Sequence, residues 1–233
     1  MLNKVAALLD SWNIGYRIED EKLIVRGSKW KINVPPVNEE LAYLLGFVWG
    51  DGCLVKPQPR KTGGNRLRVN ICFSGSAKGK TQAQYICETI KRFFHYEPRV
   101  RNRQRKNRKD WQEVDVNSTV IYAYFCYLGL PIGKKYGKLE VPPAVRSESL
   151  FKKFLTGLVD ADGYTTRKGK VWIVQKDRKF LHQIRDLSLK FLKVNFSSPR
   201  PNSKIINGKI YTWYYIIASE SHLRRAREMK IKT

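Results

Sequence analysis

Two aspartates, Asp51 and Asp162, each close a short segment of the same unusual make-up: Leu44-Leu-Gly-Phe-Val-Trp-Gly-Asp-Gly52 and Leu155-Thr-Gly-Leu-Val-Asp-Ala-Asp-Gly163. In each, an apolar stretch carries small residues four apart (Gly46 and Gly50; Gly157 and Ala161) and ends in Asp-Gly. Small residues at that spacing lie on one helix face and let a second helix approach closely. The Gly after each Asp fits a helix C-cap that needs a left-handed residue. A carboxylate at that end faces the negative pole of the helix dipole, at a penalty of roughly 0.3–1 kcal/mol. Two such carboxylates, brought together by a helix pair, repel each other unless a cation lies between them. Hard oxygen ligands with room for water and phosphate suit magnesium. One Asp-Gly alone reads as a capped turn; two copies, each ending a small-residue apolar helix in a basic chain, read as a metal site.

The repeated segment resembles the motif of the LAGLIDADG homing endonucleases. The second copy matches seven of the nine letters; the first keeps the small-residue spacing and the final Asp-Gly, and the resemblance runs over residues 38–233. Trp49 stands where the family usually has its earlier Asp, a position that is not the metal ligand. The resemblance implies a site-specific DNA endonuclease of the single-chain, two-motif, intron-encoded type, a monomer that makes a double-strand break in a long asymmetric target. It implies Mg2+, or another divalent cation such as Mn2+, held by Asp51 and Asp162 with the backbone carbonyls of Gly50 and Ala161. It also implies polar and basic residues around the metal. Gln175, followed by Lys176, ends a second-half strand; Lys232 follows the last helix; Lys135, next to Lys134, is its first-half counterpart. Where the second half has Gln175, the first has Phe73-Ser-Gly-Ser76, with only hydroxyls and with Lys78 or Lys80 as substitutes. That asymmetry predicts unequal cleavage of the two strands.

The elements that must position these residues follow from periodicity. Residues 1–36 form an appendage, with a helix over Val5–Trp12 and extended stretches at Tyr16–Ile18 and Lys22–Val25, closed by Pro35-Pro36. Residues 37–146 form the first half-domain. After its motif helix, Arg66–Ser74 alternates as a half-buried strand, Thr81–Phe94 has helical spacing, Pro98–Arg105 and Trp111–Val116 pair as strands, and Val120–Leu128 is helical. Residues 147–233 form the second: Tyr164–Thr166 and Lys170–Val174, a helix at Phe180–Phe191, a hairpin turned by Asn207-Gly208, and a closing helix Glu220–Lys230. Fold class is therefore α+β, and the resemblance implies two pseudo-symmetric αββαββα half-domains packed through the motif helices, their antiparallel sheets forming a DNA-binding saddle.

The outward positions of these strands are cationic. Arg99, Arg101, Arg103 and Arg105 share one face, and Arg66, Arg68 and Asn70 share another alternating set. Four like charges at alternate positions repel, and a phosphate backbone would relieve them. A two-stranded ribbon fits the major groove, where Arg and Lys read guanine and Asn reads adenine. With Lys168, Lys170 and Lys209 these are the candidate DNA contacts. Trp172, Tyr211 and Trp213 lie on the same strands and read as sheet-packing aromatics.

Composition agrees. The chain has 45 basic against 20 acidic residues, a net charge of +25, which points to a polyanionic partner. Its apolar content of 42% suffices for a core. No apolar run reaches the ~20 residues of a membrane span, and the first residues lack a signal-peptide pattern, so an intracellular protein is expected, cytoplasmic or organellar and not secreted. Cys53, Cys72, Cys87 and Cys126 have no metal-site or disulfide spacing and are expected in or near the core. Two other functions compete: a maturase that binds intron RNA, since basic surfaces bind RNA as readily as DNA, and a regulator that binds DNA without cutting. Retention of both aspartates argues against the regulator.

Overall fold

The computed structural model describes residues 1–59, 65–104 and 110–218. In chain order, α1 (Leu2–Ser11), β1 (Tyr16–Glu19), β2 (Lys22–Val25) and β3 (Ile32–Asn33) precede α2 (Glu39–Asp51). Then come β4 (Gly52–Pro59), β5 (Asn65–Ser74), α3 (Ala77–Phe94), β6 (Arg99–Arg103), β7 (Trp111–Val116) and α4 (Thr119–Tyr127). After a 3-10 turn at Pro143–Val145 follow α5 (Glu148–Asp162), β8 (Gly163–Thr165), β9 (Val171–Gln175), α6 (Arg178–Leu187), a π-helical turn at Ser188–Leu192, β10 (Arg200–Ile206) and β11 (Lys209–Ile217). The order helix, strand pair, helix, strand pair thus occurs twice. Arg105, the loop 106–109, the helix expected at Glu220–Lys230 and Lys232 lie outside the described residues.

Side-chain caps set the helix starts. Asn38 Oδ1 accepts from Leu41 N at 3.0 Å to open α2, Ser76 Oγ from Gly79 N at 3.2 Å to open α3, and Asp177 Oδ1 from Phe180 N at 3.2 Å to open α6. Each satisfies an amide that the helix itself leaves without a partner. Because Ser76 caps it, α3 begins a turn before the apolar periodicity does. Asn207 and Gly208, at φ 50° and 71°, make the tight turn that their sequence predicts.

By packing, the chain forms two compact units: residues 1–36 with 52–134, and residues 37–51 with 135–233. This division differs from the one that follows the internal repeat, because α2 packs with α5 in the second unit.

In the first unit, β1-β2-β3 form one antiparallel sheet and β4-β5-β7-β6 another. Leu67, Val69, Ile71 and Phe73 of β5 are buried with Val114 and Val116 of β7. Helix α4 is buried along Val120–Phe125, apolar all round, so it needs cover on more than one side. The sheet supplies one side and α1 another, with Trp12 edge-on to Tyr122 at 6.0 Å. The appendage 1–36 is therefore part of this core, through Val5, Leu9, Leu23, Ile24 and Ile32.

In the second unit, the antiparallel sheet β10-β11-β9-β8 buries Val171, Ile173 and Ile216 with Phe180, Leu181 and Ile184 of α6. Helices α2 and α5 pack face to face. Among the described residues no helix is long and apolar enough to cross a membrane. Cys72 departs from expectation: it is exposed, because it lies on the outward side of β5, while Cys53, Cys87 and Cys126 are part-buried.

Candidate functional site

The small residues of the two motifs are where α2 and α5 touch. A Cβ on Gly46 would overlap the Phe154 carbonyl, and one on Gly157 would overlap that of Tyr43. A Cβ on Gly50 would fall 2.5 Å from Ala161 Cβ and 3.0 Å from Asp162 Oδ2. These contacts carry the backbones close enough to set Asp162 against the residue preceding Asp51. The glycines after the aspartates are not left-handed caps. Gly52 opens β4, and Gly163, at φ −117° and ψ 175°, opens β8 in extended conformation. Each motif helix turns directly into a strand. Gly163 is required by space instead, since a Cβ would meet Trp172 O at 2.6 Å and Val159 O at 2.7 Å.

The two carboxyls are electrostatically strained. Burial, then the charge of Asp162, push Asp51 up to about 7 against the opposing pull of Lys135. Burial pushes Asp162 up to about 6, opposed by Lys135 and by a hydrogen bond from the Gln175 amide. Lys135 donates to the carbonyls of Trp49, at 2.7 Å, and Gly50, so an ammonium sits at the negative end of α2. Asp177 receives Leu139 N at 3.1 Å and Gln183 Oε1 receives Val141 N at 2.8 Å, bonds that tie residues 139–141 to α6. A cleft of about 350 Å³ beside Asp162 is lined by Gly50, Lys135, Tyr136, Gln175, Lys176 and Trp213 among others. Lys176 Nζ lies 4.8 Å from the centre of the Tyr136 ring.

The donor set fits a hard divalent cation. Two part-buried carboxyls that resist ionisation side by side gain from a cation between them. Among the described residues no cluster of three His, Cys, Asp or Glu could hold a metal, so carbonyls, water and phosphate oxygens would complete the shell. Asp51, Asp162, Gly50, Ala161, Lys135 and Gln175 are brought together. Trp49 takes a structural part: it is buried, donates from Nε1 to Glu140 O at 2.8 Å and lies edge-on to Phe154. The matching Asp160 accepts from the Tyr43 hydroxyl at 3.1 Å. In the first repeat the hydroxyls are engaged locally, Ser76 as the α3 cap and Ser74 bonded to Ser76 at 2.7 Å.

The strands place the basic candidates unevenly. Arg66 and Arg99 are exposed on the β4–β7 sheet. Arg68, Arg101 and Arg103 share the outward face but are paired, Arg68 and Arg101 with Asp115 and Arg103 with Glu113. Carboxylates of β7, as well as any phosphate, thus relieve the repulsion expected among these arginines. Asn70 is corrected from a surface contact to a buried one, its amide donating to Asp115 Oδ1 at 2.9 Å. In the second sheet the cations stand at strand ends: Lys168 on the turn before β9, Lys170 just ahead of it, Lys209 at the start of β11. Its outward face carries rings, beside the exposed Arg200 and Lys204 of β10, which stand opposite Tyr215 and Tyr211. Tyr164 stacks on Trp172 at 5.4 Å, and Trp172 on Tyr215 at 5.1 Å. Periodicity alone missed Glu113, Asp115 and Tyr136. The alternation Trp111, Glu113, Asp115 was the available signal for the first two.

Residues 151–229 match the family described as LAGLIDADG-like domain. Among solved structures, the homing endonuclease I-DmoI in complex with DNA and Ca is similar at a TM-score of 0.60 and 17% identity, over 85% of this chain and 92% of that one. I-DmoI in complex with DNA and Mn gives 0.58 and 19%, over 84% and 97%. The homing endonuclease I-WcaI bound to its DNA recognition sequence gives 0.55 and 12%, over 99% and 93%. No curated protein matches the chain in sequence.

Proposed function

We propose that this chain, whose residues 151–229 match the LAGLIDADG-like domain and whose fold is similar to that of I-DmoI, is a site-specific, divalent-metal-dependent DNA endonuclease. In this reading it makes a double-strand break in a long asymmetric target and so initiates homing of its own intron. The observation that carries the proposal is the pair Asp51 and Asp162, both held above the usual carboxylate range at the joined ends of α2 and α5.

Asp51 and Asp162, with the carbonyls of Gly50 and Ala161, would hold Mg2+ or Mn2+. Bound there, the cation supplies charge neutralisation on the scissile phosphate and an activated water. Gln175 orients the Asp162 carboxylate by its amide. Lys135 places an ammonium beside the Gly50 carbonyl, in position to bind a phosphate oxygen. Lys176 and Tyr136 border the cleft where the backbone would lie. One carboxylate from each motif suits cutting of both strands by a monomer that already contains both half-sites. Arg66, Arg68, Arg99, Arg101, Arg103, Arg105, Lys168, Lys170 and Lys209 are the proposed DNA contacts, and Lys232 a further basic group of the site. An intracellular location, cytoplasmic or organellar, follows from that substrate.

The test is cleavage of a plasmid carrying the intronless host-gene junction, with magnesium and with EDTA. Magnesium-dependent linearisation at one position is expected. Tight binding without cutting would replace the proposal with a DNA-binding regulator, and preferential binding of the intron RNA would replace it with a maturase.

A further inference from the structure

On the outward side of the β4–β7 sheet, β7 alternates Trp111, Glu113 and Asp115 with the inward Val114 and Val116. The register sets Arg99 opposite Asp115, Arg101 opposite Glu113 and Arg103 opposite Trp111. The arginines do not pair straight across. Arg101 Nε lies 2.8 Å from Asp115 Oδ2, and Arg103 Nε donates to Glu113 Oε2 at 2.9 Å. Two successive outward arginines of an edge strand therefore lean the same way, each with Nε towards the next carboxylate of its neighbour: Arg103 by a hydrogen bond, Arg101 by an ion pair in which Asp115 Oδ2 accepts no hydrogen bond among the described residues.

Both carboxylates are themselves held. Asp115 is fully buried, receives the Asn70 amide and pairs with Arg68 Nη1 at 3.5 Å. Glu113 also accepts from Trp111 Nε1 at 3.1 Å. Burial pushes its pKa up, but the bonds from Arg103 and Trp111 outweigh that and hold it below the usual carboxylate value, so it stays an anion beside its arginine. The side chains of Arg101 and Arg103 remain 31% and 40% exposed. A guanidinium anchored through Nε presents its Nη1–Nη2 edge, two parallel donors in a rigid plane. That edge matches the O6 and N7 acceptors of guanine in the major groove. Arg66 and Arg99, exposed on the same sheet, have no such anchor among the described residues and suit phosphate.

Spacing adds a second constraint. Alternate residues of an antiparallel strand are roughly 6.8 Å apart, which is two base-pair steps at about 3.4 Å each. We infer that Arg101 and Arg103 read two guanines two base pairs apart in a DNA major groove, with Asp115 and Glu113 as the positioning residues that aim them. The inference rests on the DNA-binding reading above and goes beyond it by naming bases, residues and spacing.

The test uses the full chain to select duplexes from a randomised pool in EDTA, so that no cutting depletes the pool. Enriched duplexes should share two guanines separated by one base pair. In the selected duplex, 7-deazaguanine at either position removes the N7 acceptor and leaves the protein untouched; affinity should fall roughly 5- to 140-fold. Arg103→Ala should abolish the response at one of the two positions and leave the other. Glu113→Gln should weaken the same guanine preference without changing the salt dependence. Arg66→Ala should lower affinity for all sequences and reduce the slope of log affinity against log salt by about 1. Selected duplexes that lack the paired guanines, or that bind equally well with 7-deazaguanine, would overturn the inference while leaving a DNA-binding protein. Failure to enrich any duplex would overturn both readings.

Discussion

On the β4–β7 sheet the solvent side is a lattice of charges, with Arg68, Arg101 and Arg103 tied to Asp115 and Glu113. On the β8–β11 sheet it is built on a row of rings, Tyr164 on Trp172 and Trp172 on Tyr215, with Arg200 and Lys204 exposed beside them and without a carboxylate lattice among the described residues. The inward sides do not differ in this way: Val69, Ile71 and Val114 in one, Val171, Ile173 and Ile216 in the other, all buried. Folding constrains only the side that must leave water, so two copies of one architecture keep their cores alike and let their outer faces diverge. The motif ends diverge similarly, with Trp49 buried where the second copy has Asp160, and with Gln175 on Asp162 in the second copy alone. A protein whose halves present different chemistry suits an asymmetric target.

The sharpest way to break this comparison is at the carboxylates, which the two repeats share. Asp51→Asn and Asp162→Asn should each lower double-strand cleavage by about 10⁴-fold or more, as loss of metal charge stabilisation implies, with DNA affinity nearly kept. Timed conversion of supercoiled plasmid would read both this and the order of nicking in the wild type. Full activity in either variant would remove that residue from the metal site, and simultaneous cutting of both strands would remove the functional asymmetry.

The sheets themselves should respond unequally. Asp115→Ala leaves Arg68 and Arg101 without their buried counter-ion and should cost about 3–5 kcal/mol. Trp172→Ala loses two ring contacts, about 1–3 kcal/mol. Urea unfolding of both variants in low and high salt compares them; equal losses in the two would mean that the charge lattice is not a structural unit.

A pH effect separates the strained carboxyls from the rest. Asp51, at about 7 when folded, and Asp162, at about 6, ionise near 4 when unfolded. Between about pH 4 and 7 the folded state keeps protons that the unfolded chain has released, so the metal-free protein loses stability as pH rises through that window. Asp51→Asn should therefore stabilise the metal-free protein at pH 8 by on the order of 2–4 kcal/mol, with no gain near pH 4. Thermal melts across pH measure it, and a difference that does not change with pH would sink the account. The smallest effect is expected at the exposed hairpin tip, where Lys209→Ala should reduce the salt slope of DNA binding by about 1 and leave base preference unchanged.

Local patterns in the chain were enough for most of the elements. The alternation over Arg66–Ser74, the Asn207-Gly208 turn and the twice-repeated small-residue helix each encode structure within a few residues, where backbone periodicity and steric limits act. The paired aspartates were legible for the same reason: closely packed helices need small residues at fixed spacing, and the motif displays them. The appendage was not, because its role depends on covering α4, some hundred positions away in the chain.

By itself, then, the sequence determined the duplicated α+β architecture, the basic excess that suits a polyanionic partner and the two carboxylates that converge. Only the tertiary structure decided that the glycines after those carboxylates are extended, that Lys135 caps α2 at the Gly50 carbonyl, that Gln175 meets Asp162, and that Asp115 and Glu113 anchor the arginines. The physical reason is the range of the forces involved. Periodicity and turn chemistry are properties of neighbouring residues, whereas a strand register or an ion pair depends on which distant segments the core brings side by side.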